Sequence, residues 1–124
     1  MIVLFACIHN SGRSIAAQAI ARAHGLDARS AGSEPGAGVN PAVAEVLAER
    51  GLSVTDHVPT LLTHELVEGV DVVVTMGCGE TCPYFPGKRY EDWKVDDPKG
   101  QPIDVVRAIV DDVEARVLDL KARL

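Results

Sequence analysis

The stretch Cys7-Ile8-His9-Asn10-Ser11-Gly12-Arg13-Ser14 constrains this chain more than any other. It follows the apolar run Ile2 to Ala6 directly and precedes an alanine-rich segment with helical spacing. A strand that turns sharply into a helix aims successive backbone N–H groups, and the positive end of the helix dipole, at one point in space. The segment from Ile8 to Ser14 therefore reads as an oxyanion cradle, with the thiol of Cys7 before it and the planar cationic fork of Arg13 at its edge. That combination suits attack on a tetrahedral oxyanion. The Cys-to-Arg spacing alone is weak, since 3 cysteines and 8 arginines in 124 residues produce it by chance roughly 0.2 times. Its place at the first strand-to-helix turn, where open α/β sheets hold their ligands, strengthens it. The plain alternative makes Cys7 a small buried hydrophobe and Arg13 a surface charge.

The rest of the chain alternates strands and helices. Ile2 to Ala6 has the continuous apolar character of a strand buried on both faces. Ile15, Ala16, Ala19, Ile20 and Ala23 mark a helix from Arg13 to His24 that Gly25 stops. Asp27 to Ala31 is a short second strand, and Gly32 to Gly38 a glycine- and proline-rich loop. Asn40-Pro41 caps and opens a helix that ends at Gly51. Leu61 to Glu68 reads as a small helix capped by Thr60 or Thr63. Val70 to Met76 is a second buried strand, and Arg89 to Trp93 a last one. From Ile103 the apolar positions 106, 110, 113, 117, 120 and 124 form one stripe along a helix of about six turns. The expected architecture is a three-layer α/β/α sandwich with a four-stranded parallel sheet, built by right-handed crossovers, as one domain over residues 1–124.

Composition narrows the function. With a net charge of -6, there is no basic excess to neutralise phosphates, so neither nucleic acid nor a phospholipid surface is an expected partner. An anion must be held locally. No run approaches the length of a membrane span, and the apolar start lacks a charged leader, so no membrane association is expected. The odd cysteine count fits working thiols in a reducing compartment better than a static disulfide framework, and the expected location is cytoplasmic.

A thiolate is the attacking species, and the amide-rich loop, the helix N-terminus and Arg13 all favour that form of Cys7. Ser14 either donates its hydroxyl to the sulfur or merely occupies the first helical turn. Asn10 either fixes the loop through side-chain bonds or supplies a residue tolerant of positive φ. Asp97 is the candidate general acid, with Asp96 beside it as a second carboxylate able to split the proton affinity of the pair; the same Asp97-Pro98 dipeptide also reads as a simple turn.

The loop from Cys7 to Ser14 resembles the phosphate loop of the low-molecular-weight tyrosine phosphatase superfamily, and Asp97-Pro98 resembles its general-acid loop. Ser30-Ala31-Gly32, Gly38-Val39-Asn40-Pro41, Val72 to Met76, and Trp93 ahead of Asp96-Asp97-Pro98 resemble the arsenate reductase branch of that superfamily. The likeness runs nearly end to end. It implies the phosphatase-like fold and arsenate as the oxyanion, with phosphate or sulfate able to occupy the same loop. It further implies that Cys7 attacks arsenate while Asp97 protonates the departing hydroxide, that Cys78 then attacks Cys7, and that Cys82 attacks Cys78. The disulfide would thus move outward to Cys78-Cys82, where thioredoxin or another thiol reductant removes it. Gly77, Gly79 and Pro83 make local unwinding inexpensive, so a redox-dependent change of residues 77–83 is expected. No metal or organic cofactor enters this scheme, and the expected working form is a monomer.

The chain also departs from that branch. Gly12 stands where related reductases often carry another cysteine, and Gln18 and Thr60 stand where some of them place acidic potassium ligands. Ser14-Ile15 replaces a usual Ser-Gln, and Cys78 and Cys82 are closer together than is typical. Two other functions compete. A phosphatase would use Cys7, Arg13 and Asp97 alone, although Lys99-Gly100 follows Asp97-Pro98 where a tyrosine would line an aromatic pocket. A thiol trap for arsenite or zinc would use Cys7, Cys78 and Cys82, with His9 as a fourth ligand, but the paired spacing of a structural zinc site is absent. His24, His57 and His64 read as surface or packing residues and Trp93 as core, while Arg89, Lys94 and Lys99 are candidates for steering the anion.

Overall fold

A computed structural model describes residues 1–77 and 86–124. Four parallel strands form one sheet: β1 (Ile2–Cys7), β2 (Asp27–Gly32), β3 (Val72–Thr75) and β4 (Arg89–Asp92), in the order β2-β1-β3-β4. The helices are α1 (Arg13–Ala23), α2 (Pro41–Glu49), α3 (His64–Glu68) and α4 (Ile103–Arg123). The expected sandwich with four parallel strands is what forms.

Alternation along β1 separates the two faces of the sheet. Val3, Phe5 and Cys7 point into the larger core, which α1, α2 and α4 close with Ile15, Ile20, Val43, Leu47, Val110 and Val117 among others. Leu4 points the other way, into a smaller cluster with Ala31, Val67, Val70 and Val73 beneath α3. The apolar stripe of α4 is buried at 106, 110, 113, 117 and 120 as the spacing predicts, and Ile109 joins it. Leu124, the last residue of the expected stripe, is 39% exposed because the helix has run past the edge of the core.

Local chemistry sets the element ends. Asn40 accepts hydrogen bonds from the backbone N–H groups of Ala42 and Val43, and Pro41 opens α2. Gly25 and Gly51 follow α1 and α2 with φ of 84° and 77°. Two expectations are shortened. The helix expected from Leu61 starts at His64, because Thr63 is its cap and Leu61 pairs instead with Gly32 as an isolated bridge. The strand expected from Val70 starts at Val72, because the Val70 N–H closes the turn after α3 onto the Val67 carbonyl.

The strand order fixes where a ligand can sit. From β1 the chain crosses to β2 on one side, and from β3 it proceeds to β4 on the other. The crevice between the carboxyl ends of β1 and β3 is therefore the topological switch point of the sheet. Cys7 ends β1, and Met76 and Gly77 follow β3.

Candidate active site

The loop after β1 is held from outside by its carbonyls. The N–H groups of Ser33, Glu34, Gly36, Asn40 and Ala16 donate to the carbonyls of Cys7, Ile8, His9, Ser11 and Gly12. No acceptor among the described residues takes the backbone N–H groups of Ile8, His9, Asn10, Ser11, Gly12 or Arg13. Carbonyls turned outward and amides left unclaimed form a concavity of the kind that suits an anion. Gly32 of β2 backs this loop so closely that a Cβ there would lie 2.6 Å from the Ile8 carbonyl oxygen and 2.8 Å from the Asn10 nitrogen.

Behind the loop, a directional chain of hydrogen bonds reaches the thiol. Asn10, at φ 50°, accepts at Oδ1 from the Thr60 N–H at 2.9 Å and from His57 Nε2 at 3.0 Å. Its Nδ2 donates to Ser14 Oγ at 2.8 Å. Ser14 Oγ lies 2.9 Å from Cys7 Sγ, and toward a thiolate, which can only accept, its hydroxyl donates. Both open readings of Asn10 hold together: it occupies a left-handed conformation and it fixes the loop. Ser14 is placed to donate to a Cys7 thiolate and is buried with Asn10 and Cys7.

Arg13 begins α1, and its side chain lies almost wholly buried beside the cradle. Nη1 donates to the Val95 carbonyl at 3.4 Å, and Nη2 lies 3.9 Å from Asp97 Oδ2. Gly77, at φ 86°, lies against the guanidinium, and a Cβ at that position would collide with Nη1. Asp97 makes the turn and also faces the crevice. Its Oδ1 accepts from the Lys99 N–H at 3.0 Å, which makes the turn, while Oδ2 faces Arg13 across the crevice. Asp97 is exposed, so a proton can reach it from solvent.

These groups border a cavity of about 540 Å³ that also takes in residues 36–41 and 97–100. Asp96 does not share it; it lines a separate cavity with Gly77 and residues 92–95, so the adjacent carboxylates are not a pair within one site. Of the cations proposed to steer the anion, Lys99 borders the main cavity, Lys94 borders the other one, and Arg89 is paired with Glu91 on β4. His9 is exposed at the rim, its Nδ1 donating to the Glu34 carbonyl at 2.8 Å. Trp93 is core, packed on Phe5 with ring centroids 5.6 Å apart. Cys78 and Cys82, and the expected change of residues 77–83 beyond Gly77, lie outside the described residues.

His57 corrects the sequence reading. It is neither surface nor packing filler but a direct partner of Asn10, and burial pushes its pKa below the ordinary histidine value. No local pattern announces a contact across 47 positions. Gly77 was equally hidden: a glycine after a buried strand reads as loop mobility, whereas its function here is to leave room for Arg13.

Fold and site together define an α/β protein with a thiol-bearing oxyanion loop at the sheet's switch point. The chain belongs to the low molecular weight phosphotyrosine protein phosphatase family, whose model matches residues 2–124. Within it, a putative arsenate reductase of Halobacterium salinarum is 33% identical over 124 residues, covering 94% of this chain and 87% of that protein. The structure of the thioredoxin-dependent arsenate reductase Cg_ArsC1' of Corynebacterium glutamicum superposes with a TM-score of 0.85 at 38% identity. The likeness covers 98% of this chain, which spans about three-fifths (60%) of that longer one. The low molecular weight protein tyrosine phosphatase of T. tengcongensis superposes at 0.88 and 28% identity, covering 100% of this chain and 99% of the other. The resemblance to the arsenate reductase branch, drawn from short motifs, is borne out by these relatives.

Proposed function

We propose that this chain reduces arsenate to arsenite with electrons from a dithiol protein. The observation that carries the chemistry is the Ser14 hydroxyl 2.9 Å from Cys7 Sγ, beside an unclaimed amide cradle bounded by Arg13 and Asp97. Arsenate sits with its oxygens on the amides of Ile8 to Arg13 and on the Arg13 fork. The Cys7 thiolate attacks arsenic as an As–O bond breaks, and Asp97 protonates the departing hydroxide to water. Cys78 then attacks Cys7 Sγ, and the electron pair of the S–As bond stays on arsenic, which leaves as arsenite. Cys82 attacks Cys78, returning Cys7 to its thiolate, and thioredoxin reduces the Cys78-Cys82 disulfide. The same reading makes the working form a cytoplasmic monomer.

Support for the reductive exit comes from the reductases among the chain's relatives and from Gly77, which touches Arg13 and immediately precedes Cys78 in the chain. The decisive experiment is arsenate-dependent oxidation of a thioredoxin system by wild type and by Cys7→Ser, Cys78→Ser and Cys82→Ser. All three variants should lose multiple turnover; sustained turnover by Cys78→Ser or Cys82→Ser would defeat the relay.

Hydrolysis of small phosphate esters is a second activity that the cavity favours, because about 540 Å³ exceeds what an inorganic oxyanion fills. It requires Cys7, Arg13 and Asp97 and survives Cys78→Ser with Cys82→Ser.

A further inference from the structure

The turn that carries Asp97 is tied to the rest of the protein at few points. Pro98 is buried, while every other residue from 96 to 102 is exposed. Among the described residues, the hydrogen bonds of residues 96–101 are local: the Lys99 N–H donates to Asp97 Oδ1, and the Gln101 N–H to the Pro98 carbonyl at 3.1 Å. The polar contact that leaves the turn is the one between Asp97 Oδ2 and Arg13 Nη2, which at 3.9 Å is too long for a hydrogen bond. What anchors the turn is therefore the packing of the Pro98 ring.

That ring sits in a notch beside the oxyanion loop. A Cβ on Gly12 would lie 3.0 Å from Pro98 Cγ, 3.7 Å from Pro98 Cδ and 3.8 Å from Val43 Cγ2. Gly12 is buried, and Val43 of α2 belongs to the main core, so the walls of the notch are fixed. The ring occupies the space that a side chain at position 12 would need. Proline is also a stiff key: it fixes its own φ and confines the residue before it to extended backbone. Seating Pro98 therefore sets the backbone of Asp97 as well.

We propose that Gly12 is a positioning residue for the general acid: its missing side chain seats Pro98 against the oxyanion loop and so holds Asp97 at the crevice. This rests on the reading of Asp97 as the acid in arsenate reduction. It gives Gly12 a function separate from its backbone N–H, which almost any residue could supply. A side chain at position 12 meets a surface turn that can yield outward, and that movement takes Asp97 away from Arg13. Proton transfer requires heavy atoms within about 2.6–3.2 Å, so a displacement that the fold tolerates still slows the chemistry.

Gly12→Ala, Pro98→Ala and the double variant test the idea, using single-turnover arsenite formation by the prereduced enzyme and 15N–1H spectra of the resting protein. Gly12→Ala should slow the maximal rate about tenfold and keep the half-saturating arsenate concentration within about twofold of wild type. It should also shift the Lys99 amide, which reports on Asp97. In the Pro98→Ala background, where Cγ and Cδ are gone, adding Gly12→Ala should change neither readout further. Equal losses in both backgrounds would overturn the proposal, because the glycine would then serve the loop itself. A wild-type rate with an unmoved Lys99 amide would overturn it too. If the wild type fails to reduce arsenate, the functional reading falls and the Lys99 amide alone decides: a shift that needs Pro98 supports the seating, and no shift refutes it.

Discussion

Asn10 is held at φ 50° by three hydrogen bonds, and every one of them has a consequence at Cys7. Its Nδ2 donates to Ser14 Oγ and holds that oxygen beside the sulfur. Hydrogen bonds to charged groups contribute about 1.5–3 kcal/mol. Ser14→Ala should therefore slow Cys7 alkylation by iodoacetamide at neutral pH by about ten- to a hundredfold. The measurement belongs in a Cys78→Ser, Cys82→Ser background so that one thiol reports. An unchanged rate would mean that the hydroxyl does not act on the sulfur. Asn10→Ala acts differently, leaving the buried Ser14 and the Thr60 N–H without their partner and keeping the left-handed backbone. It should lower unfolding stability by about 1–3 kcal/mol in urea titration. Cys7, Arg13 and Asp97 were legible from sequence because the loop is contiguous and the acid sits in a turn dipeptide. His57 was not, because its role depends on a fold that brings residue 57 to residue 10.

Between elements, the loop's shape depends on glycines that make room rather than bend. Gly32 belongs to β2 at a φ any residue adopts, yet a Cβ there meets backbone atoms of the loop that cannot yield. Gly32→Ala should cost about 1–3 kcal/mol and reduce arsenate turnover, since the cradle must shift. Gly38→Ala is the control: its Cβ meets nothing within 4 Å, and stability should hold or rise slightly in thermal denaturation. Gly12 stands between these cases, its Cβ touching Pro98 Cγ at 3.0 Å, which would press on the turn that carries Asp97. Sequence patterning found all eight elements among the described residues because periodicity and capping are local. It overran α3 and β3, where Leu61 and Val70 are apolar for tertiary reasons. Leu61 pairs with Gly32, and Val70 packs under α3.

For the whole molecule, acid should act through two kinds of group. Burial lowers the His57 pKa below its unfolded value near 6.5, so its contribution is complete above that value and is lost as pH falls through the folded one. Glu91 is held below its ordinary 4.5 chiefly by hydrogen bonds from Arg123, which clamps the end of α4 to β4 at 2.8 and 2.9 Å. Its contribution is present above the unfolded value and is lost as pH falls through the lower folded one. Melting temperature should thus decline in two stages on acidification. His57→Gln should flatten the stage that sets in below 6.5, and Arg123→Gln should flatten only the stage below 4.5. A His57→Gln profile parallel to wild type would contradict the first assignment.

The nucleophile ends β1, one of the two inner strands of the sheet, whose Val3 to Ala6 are wholly buried. Such a strand is among the last to open in native-state exchange, so its amides should be lost only on global unfolding. A form that has lost β1 is therefore a globally unfolded one. The enhancement of Cys7 reactivity by the loop and the backbone structure should be lost at one denaturant midpoint, so that enhancement gauges how much of a sample is folded.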